Sequence, residues 1–320
     1  MRLETLKSLA EQRGVRLPTA LLDGEALRVP ATERGWFRFQ RLYDAARACV
    51  RDADDMARLI DEAVADDAAE GSVRLEIQVD PTSYAPLVGG LTPALEIVLD
   101  AAAAAGTAHG IEVGVIVATS RIKHPMDART LARLAVMYAG DGNGEVIGFG
   151  LSNDERRGDT AEFARAFAIA RRAGLASVPH GGELLGPDHV REVIDELAPD
   201  RLGHGVRAHE DPGLLADIIE RDIALEVCPA SNVSLGVFPE LSYVPVPQLL
   251  EAGATIALGA DDPLLFGERL LDQYENARHV YGLDDAQIAE LARGSVRASR
   301  ASASSKRKWL DQIDAWLRNE

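Results

Sequence analysis

Four short stretches place proton-moving or metal-binding side chains just past an apolar run. "LASVPHGGE" carries His180 and, three residues on, Glu183; "DRLGHG" carries His204; "TIALGADDP" ends on Asp261 and Asp262; "GFGLSNDE" ends on Asn153, Asp154 and Glu155. Imidazole with carboxylate is a donor set that suits zinc, and the further acids are placed to move protons. Each stretch alone has a plainer reading. A strand-end histidine is commonly a hydrogen-bonded structural residue, and Asp-Asp-Pro is commonly a turn or helix N-cap. The argument for chemistry is that four separate strand ends carry such groups. His109, His124, His189, His209 and His279 lack that context and read as surface or structural, and Cys228 reads as a packed strand residue.

The elements that must position these groups alternate in type. Strands are expected over Val73–Val79, Glu112–Ala118, Glu145–Leu151, Leu175–His180, Asp200–His204, Ile223–Cys228 and Thr255–Ala260. Several are apolar on both faces, as in a covered parallel sheet. Between them lie helical patterns. Thr92 and Pro93 read as N-cap and first residue of a helix that Gly106 ends; Phe163, Phe167 and Ala170 recur at helical spacing before Gly174; "PDHVREVIDEL" and "PGLLADIIER" repeat the theme. About seven βα units over roughly 190 residues suit a (β/α)8 TIM-type barrel, with catalytic groups at the strand C-termini and the first strand missing. Three helical segments fill the first 70 residues, and "SSKRKWLDQIDAWLRNE" forms a closing helix. The expected organisation is one domain over residues 1–320, with a helical cap around residues 15–70.

Composition narrows the function. At 320 residues, 47% hydrophobic and 27% charged, the chain can bury a large core. Its 51 acids against 34 bases give a net charge of −17, which argues against nucleic acid and anionic membranes as partners. Neither a signal pattern nor an apolar run near the roughly 20 residues of a membrane span is evident, so a cytoplasmic location is expected. Two cysteines provide neither a disulfide framework nor a cysteine-rich zinc site.

"VPHGGE", "RLGHG", "LEVCPASN", "GADDP" and "SVRAS" follow one another in the order and spacing of the adenosine deaminase family, which this sequence resembles over nearly its whole length. The resemblance implies a zinc-dependent hydrolase that deaminates the 6-amino group of a purine nucleoside. It implies that His180 and Asp261 are zinc ligands and that Glu183 protonates ring nitrogen N1. His204 would orient the attacking water and stabilise the adduct, and Asp262 would hydrogen-bond N7. Where Asn153 stands, the family has a glycine whose backbone meets N3. Together with "HGGELLGP" and "GADDPLLFG", that asparagine resembles the relatives that deaminate 6-amino-6-deoxyfutalosine in menaquinone synthesis more than ordinary adenosine deaminases. Trp36, Phe37 and Phe39 resemble the family's pocket-covering region.

The family pattern also opens with a strand carrying a His-x-His pair of zinc ligands, ahead of the helix that "RLETLKSLAEQRG" resembles. Met1 stands where that helix begins. Two readings follow: a shortened sequence, through a start placed too far downstream or a genuine truncation, favoured because every later catalytic position is intact, or a pseudoenzyme that binds nucleosides without turning them over. Either way, the chain as it stands is expected to bind zinc weakly and to have little activity, since two ligands rarely hold zinc against competition.

Overall fold

The computed structural model describes residues 1–318. All seven expected strands form: β1 Arg74–Val79, β2 Glu112–Ser120, β3 Val146–Ser152, β4 Ala176–Gly181, β5 Arg201–His204, β6 Ala224–Val227 and β7 Ile256–Leu258. They pair in parallel in sequence order, β1 to β7, with helical segments in the connections. The sheet curls as a barrel wall does, and among the described residues no pairing joins β7 back to β1. That seam is where a first strand was expected to be missing.

Burial follows from position in the sheet. Residues 113–120 of β2 are buried throughout, because helices cover one face and the curled sheet encloses the other. Val113, Val115 and Val117 join the main hydrophobic cluster, whereas Ile116 packs with Ile147, Ala176 and Val178 in a separate cluster. The alternation is that of side chains pointing to opposite faces. Phe149 on β3 meets Phe167 edge-on, with ring centroids 5.2 Å apart, and pins the helix Ala164–Arg172 to the sheet. Each such ring, fully buried, contributes about 1.5–3 kcal/mol. All six residues of β1, by contrast, are only half-buried.

Two helical expectations need correction. The helix at Thr92 starts at Leu91 and runs through Gly106 to His109, ending on Gly110 at φ 74°. Gly106 serves packing instead, since a Cβ there would lie 2.4 Å from the Asn143 amide. That amide accepts from the Val113 N–H at 2.7 Å and donates to the Ala103 carbonyl at 3.3 Å, so it cannot move aside without losing both bonds. The segment after Asp159 divides into a 3-10 turn, Thr160–Phe163, and the helix Ala164–Arg172. Helix Leu91–His109 is long and apolar enough by composition to cross a membrane, yet Leu95, Val98 and Ala102 are buried in the protein core.

The N-terminal region folds as helices Leu3–Arg13, Glu33–Arg47 and Ala53–Ala69, and the closing helix spans Ala303–Arg318, the expected last two residues lying outside the described ones. Phe39 stacks on Phe266 at 5.6 Å, which fixes helix Glu33–Arg47 against the short helix Pro263–Phe266 that follows Asp262. Trp36 and Phe39 line the central cavity; Phe37 is 63% exposed on the outer surface and covers nothing.

Candidate active site

A cavity of about 1600 Å³ runs through the curled sheet, and His180, Glu183, His204, Asn153, Asp261 and Asp262 all line it. The strand ends deliver them as the sequence indicates. Pairing of β4 with β5 sets His180 opposite Gly203 and Gly181 opposite His204. Gly203 is required there, because a Cβ would come within 2.3 Å of the His180 ring. The two imidazoles then meet edge to face, with centroids 5.0 Å apart. His204 Nε2 lies 3.6 Å from Glu183 Oε1, with both side chains almost fully buried.

Strain marks the same places. Of the five non-glycine residues with left-handed backbone among the described residues, three are Asn153 (φ 81°), His204 (φ 65°) and Asp261 (φ 55°). Such conformations cost of order 1 kcal/mol or more and persist where surrounding structure enforces them. For Asn153 the turn is aided by its own side chain, whose Oδ1 accepts from the Asp154 N–H at 2.8 Å.

Burial sets the protonation states. It pushes the Glu183 carboxyl up to about 8, helped by the charges of Glu155 and Asp261 and opposed by His204, so Glu183 is an acid with a proton to give at neutral pH. Burial holds the His180 imidazole well below its ordinary range, aided by His204 and Arg121, which keeps it in the neutral form that binds metals. Asp262, half-buried beside Asp261, is raised by burial and by that neighbour's charge. Its side chain does not cap the helix Pro263–Phe266, so the turn-or-cap reading of Asp-Asp-Pro accounts for the proline but not for the carboxylates.

The donor set fits a metal in part. Single ligand atoms of His180, Glu183 and His204 lie within 4.8 Å of one another, as do those of His204, Cys228 and Asp261. Asp261 is oriented by Ser231, whose hydroxyl donates to Oδ2 at 2.6 Å, and His204 Nδ1 is buried without a partner. Cys228 therefore borders the site rather than merely packing in β6, though burial raises its thiol well above the ordinary range and keeps it protonated.

Sequence reasoning overlooked several groups. Gln78 on β1 reaches His180, with Nε2 of the two side chains 3.4 Å apart. His189, read as surface or structural, turns its ring inward, its side chain only 9% exposed and 3.9 Å from Glu155. Arg121 is buried and bonds the His180 carbonyl. Gln78 and Arg121 carried no local signal, because a polar residue in or just past a strand looks the same whichever face it takes.

Several proteins similar to this chain are named as deaminases. A Streptomyces virginiae protein with the provisional name adenosine/adenine deaminase is 58% identical over 99% of this chain and 93% of its own length. The solved structure of adenine deaminase from Arthrobacter aurescens superposes with a TM-score of 0.89 at 28% identity, covering 99% of this chain and 95% of that one. An amidohydrolase from Burkholderia ambifaria, solved with bound Zn, shares the fold at a TM-score of 0.85 and 22% identity, over 100% of this chain and 90% of its own. Residues 1–316 match the adenosine deaminase family as a whole, and the chain belongs to that family of aminohydrolases.

Proposed function

We propose that this chain, a single domain with its helical cap, hydrolyses the 6-amino group of an adenine-type purine and releases ammonia. The observation that carries the reading is the buried Glu183, held 3.6 Å from His204 within the cavity that also contains His180 and Asp261; burial pushes its carboxyl up to about 8. Glu183 gives its proton to ring nitrogen N1, which makes C6 electrophilic. His204 orients the water that adds to C6 and stabilises the charge that develops there. One proton of that water passes to the amino nitrogen and the other returns to Glu183; the C6–N bond breaks, ammonia leaves, and the 6-oxo purine keeps its proton at N1. Asp262, its carboxyl raised by burial and by the charge of Asp261, donates a hydrogen bond to N7, and Asn153 stands near N3. His180 and Asp261 would hold zinc, which when bound acts as a Lewis acid lowering the pKa of water to about 7.

The cavity rim favours an uncharged substrate. Arg47 is paired with Asp44, and Lys123 with Asp80, so neither cation awaits a phosphate. Adenine and adenosine, named for the relatives, are the first candidates; 6-amino-6-deoxyfutalosine, which would place the protein in menaquinone synthesis, is the third. A cytoplasmic site of action suits all three.

A second reading, a nucleoside-binding protein without turnover, is favoured by the seam between β7 and β1 and by the few metal donors. Ammonia release from each of the three substrates, with and without added zinc, separates the two. Turnover of one substrate establishes the enzyme and names it; binding of all three with no ammonia establishes the second reading.

A further inference from the structure

The loop that carries Glu183 is gripped by two side chains, from the ends of β2 and β3. Arg121, just past β2, donates to the carbonyl of His180 and to Thr160 Oγ1. Glu155, just past β3, accepts from three successive backbone N–H groups: Glu183 at 3.0 Å, and Leu184 and Leu185 at 2.8 Å each. Its carboxylate is completely shielded from solvent. A carboxylate facing a run of backbone N–H dipoles makes charge-assisted bonds, stronger and more directional than neutral ones. The cluster is thus a built clamp, with a cation on the carbonyl end of the segment and an anion on the amide end.

We propose that Glu155 is a positioning residue for proton transfer: by fixing the backbone of residues 183–185 it aims the Glu183 carboxyl into the cavity. Glu155 does not itself reach the cavity and so touches no substrate. His189, 3.9 Å away, is beyond hydrogen-bond reach, and the three amides are the hydrogen-bond partners of the carboxylate. Glutamine in its place keeps one carbonyl oxygen but turns an NH2 toward amides that need acceptors. Aspartate keeps the charge and withdraws it by one methylene. Both loosen the same three bonds for different reasons.

The inference rests on the deamination proposed above, and the test separates the two. Amide hydrogen exchange on the full chain, which needs neither metal nor turnover, should find Glu183, Leu184 and Leu185 protected in the wild type. Exchange there should be faster by tenfold or more in Glu155→Gln and Glu155→Asp, with the sheet unchanged. With zinc supplied, both variants should lose tenfold or more in kcat on adenine or adenosine while KM stays within threefold. Free exchange of these amides in the wild type, which requires no variant to fold, overturns the proposal. So does an unchanged exchange rate in a folded variant, or a loss confined to KM. If the wild type deaminates no purine, the reaction is wrong, and the exchange result still decides whether Glu155 holds the loop.

Discussion

The two flanks of the cavity are held to different standards. On the side of β3, β4 and β5, Glu183 and His204 are buried almost completely, and the loop behind Glu183 is bonded through both its carbonyl and its amide groups. On the side of β7 and β1, no strand pairing crosses the seam among the described residues, Asp261 is exposed and bonded to Ser231, and every residue of β1 is half-buried. Moving a proton requires a desolvated acid at a fixed distance, and the first flank supplies it. Holding a metal requires several converging donors, and the second flank offers few. On the reading proposed above, the first flank is the complete half, for proton transfer, and among the described residues the second is the weak half, for metal.

The largest effect tests the complete half. Glu183→Gln keeps the shape and removes the transferable proton, so kcat on the preferred purine should fall by about 10²–10⁴-fold with the fold unchanged. A loss below threefold would move the acid elsewhere. On the weak half, zinc titration of the wild type should require metal well beyond one equivalent to reach full occupancy, and Asp261→Ala should abolish specific uptake. Stoichiometric, chelator-resistant zinc in the wild type would erase the contrast between the flanks.

One feature does tie β1 to the rest. Glu76 accepts from Arg201 of β5, from Arg74 at 2.7 Å and from the Arg300 N–H at 2.7 Å, a buried network beneath the site. Burial alone would raise the Glu76 carboxyl, but Arg201 and Arg74 outweigh it and hold the group below its ordinary value. Glu76→Ala removes the carboxylate shared by the two guanidinium groups but leaves Arg201 its pair with Glu226 and Arg74 its pair with Glu112, so a loss of about 1.5–3 kcal/mol is expected on urea unfolding. A change under about 1 kcal/mol would mean that β1 is anchored by packing alone.

How legible all this was in the sequence depended on which atoms carried the signal. The seven strands were readable because apolar runs between helical patterns leave few alternatives, and the strand-end motifs placed His180, Glu183, His204, Asp261 and Asp262 in one cavity. Limits were less so: Gly106 looked like a helix stop and is a contact for Asn143, a distinction made by a residue 37 positions away in the chain. The Glu155 clamp escaped notice because its partners are backbone amides, which every sequence has. Likewise Gln78 meets His180 only because the sheet curls, and His189 faces inward only because its helix is rotated that way.

A smaller effect bears on the buried acid. Glu183 has its folded-state pKa raised to about 8 from an ordinary 4.5, so the folded chain binds a proton that the unfolded chain releases. That stabilisation is fully present below about pH 4.5 and is lost as pH rises through about 8. Between those limits one proton contributes a slope of up to about 1.4 kcal/mol per pH unit. Asp67, raised to about 6 chiefly by burial, adds to the slope at the lower end of the range, and raised Asp262 adds its own part. His180, held well below its ordinary 6.5 by burial, acts with the opposite sign below that pH, so metal-free wild type should lose stability mainly from about pH 6.5 to pH 8 in urea titrations. Glu183→Gln should flatten that decline most between pH 6 and 8, above the Asp67 contribution. Parallel curves for the two proteins would show that Glu183 is already ionised at neutral pH, and the more tightly built flank would then hold a carboxylate in place of an acid.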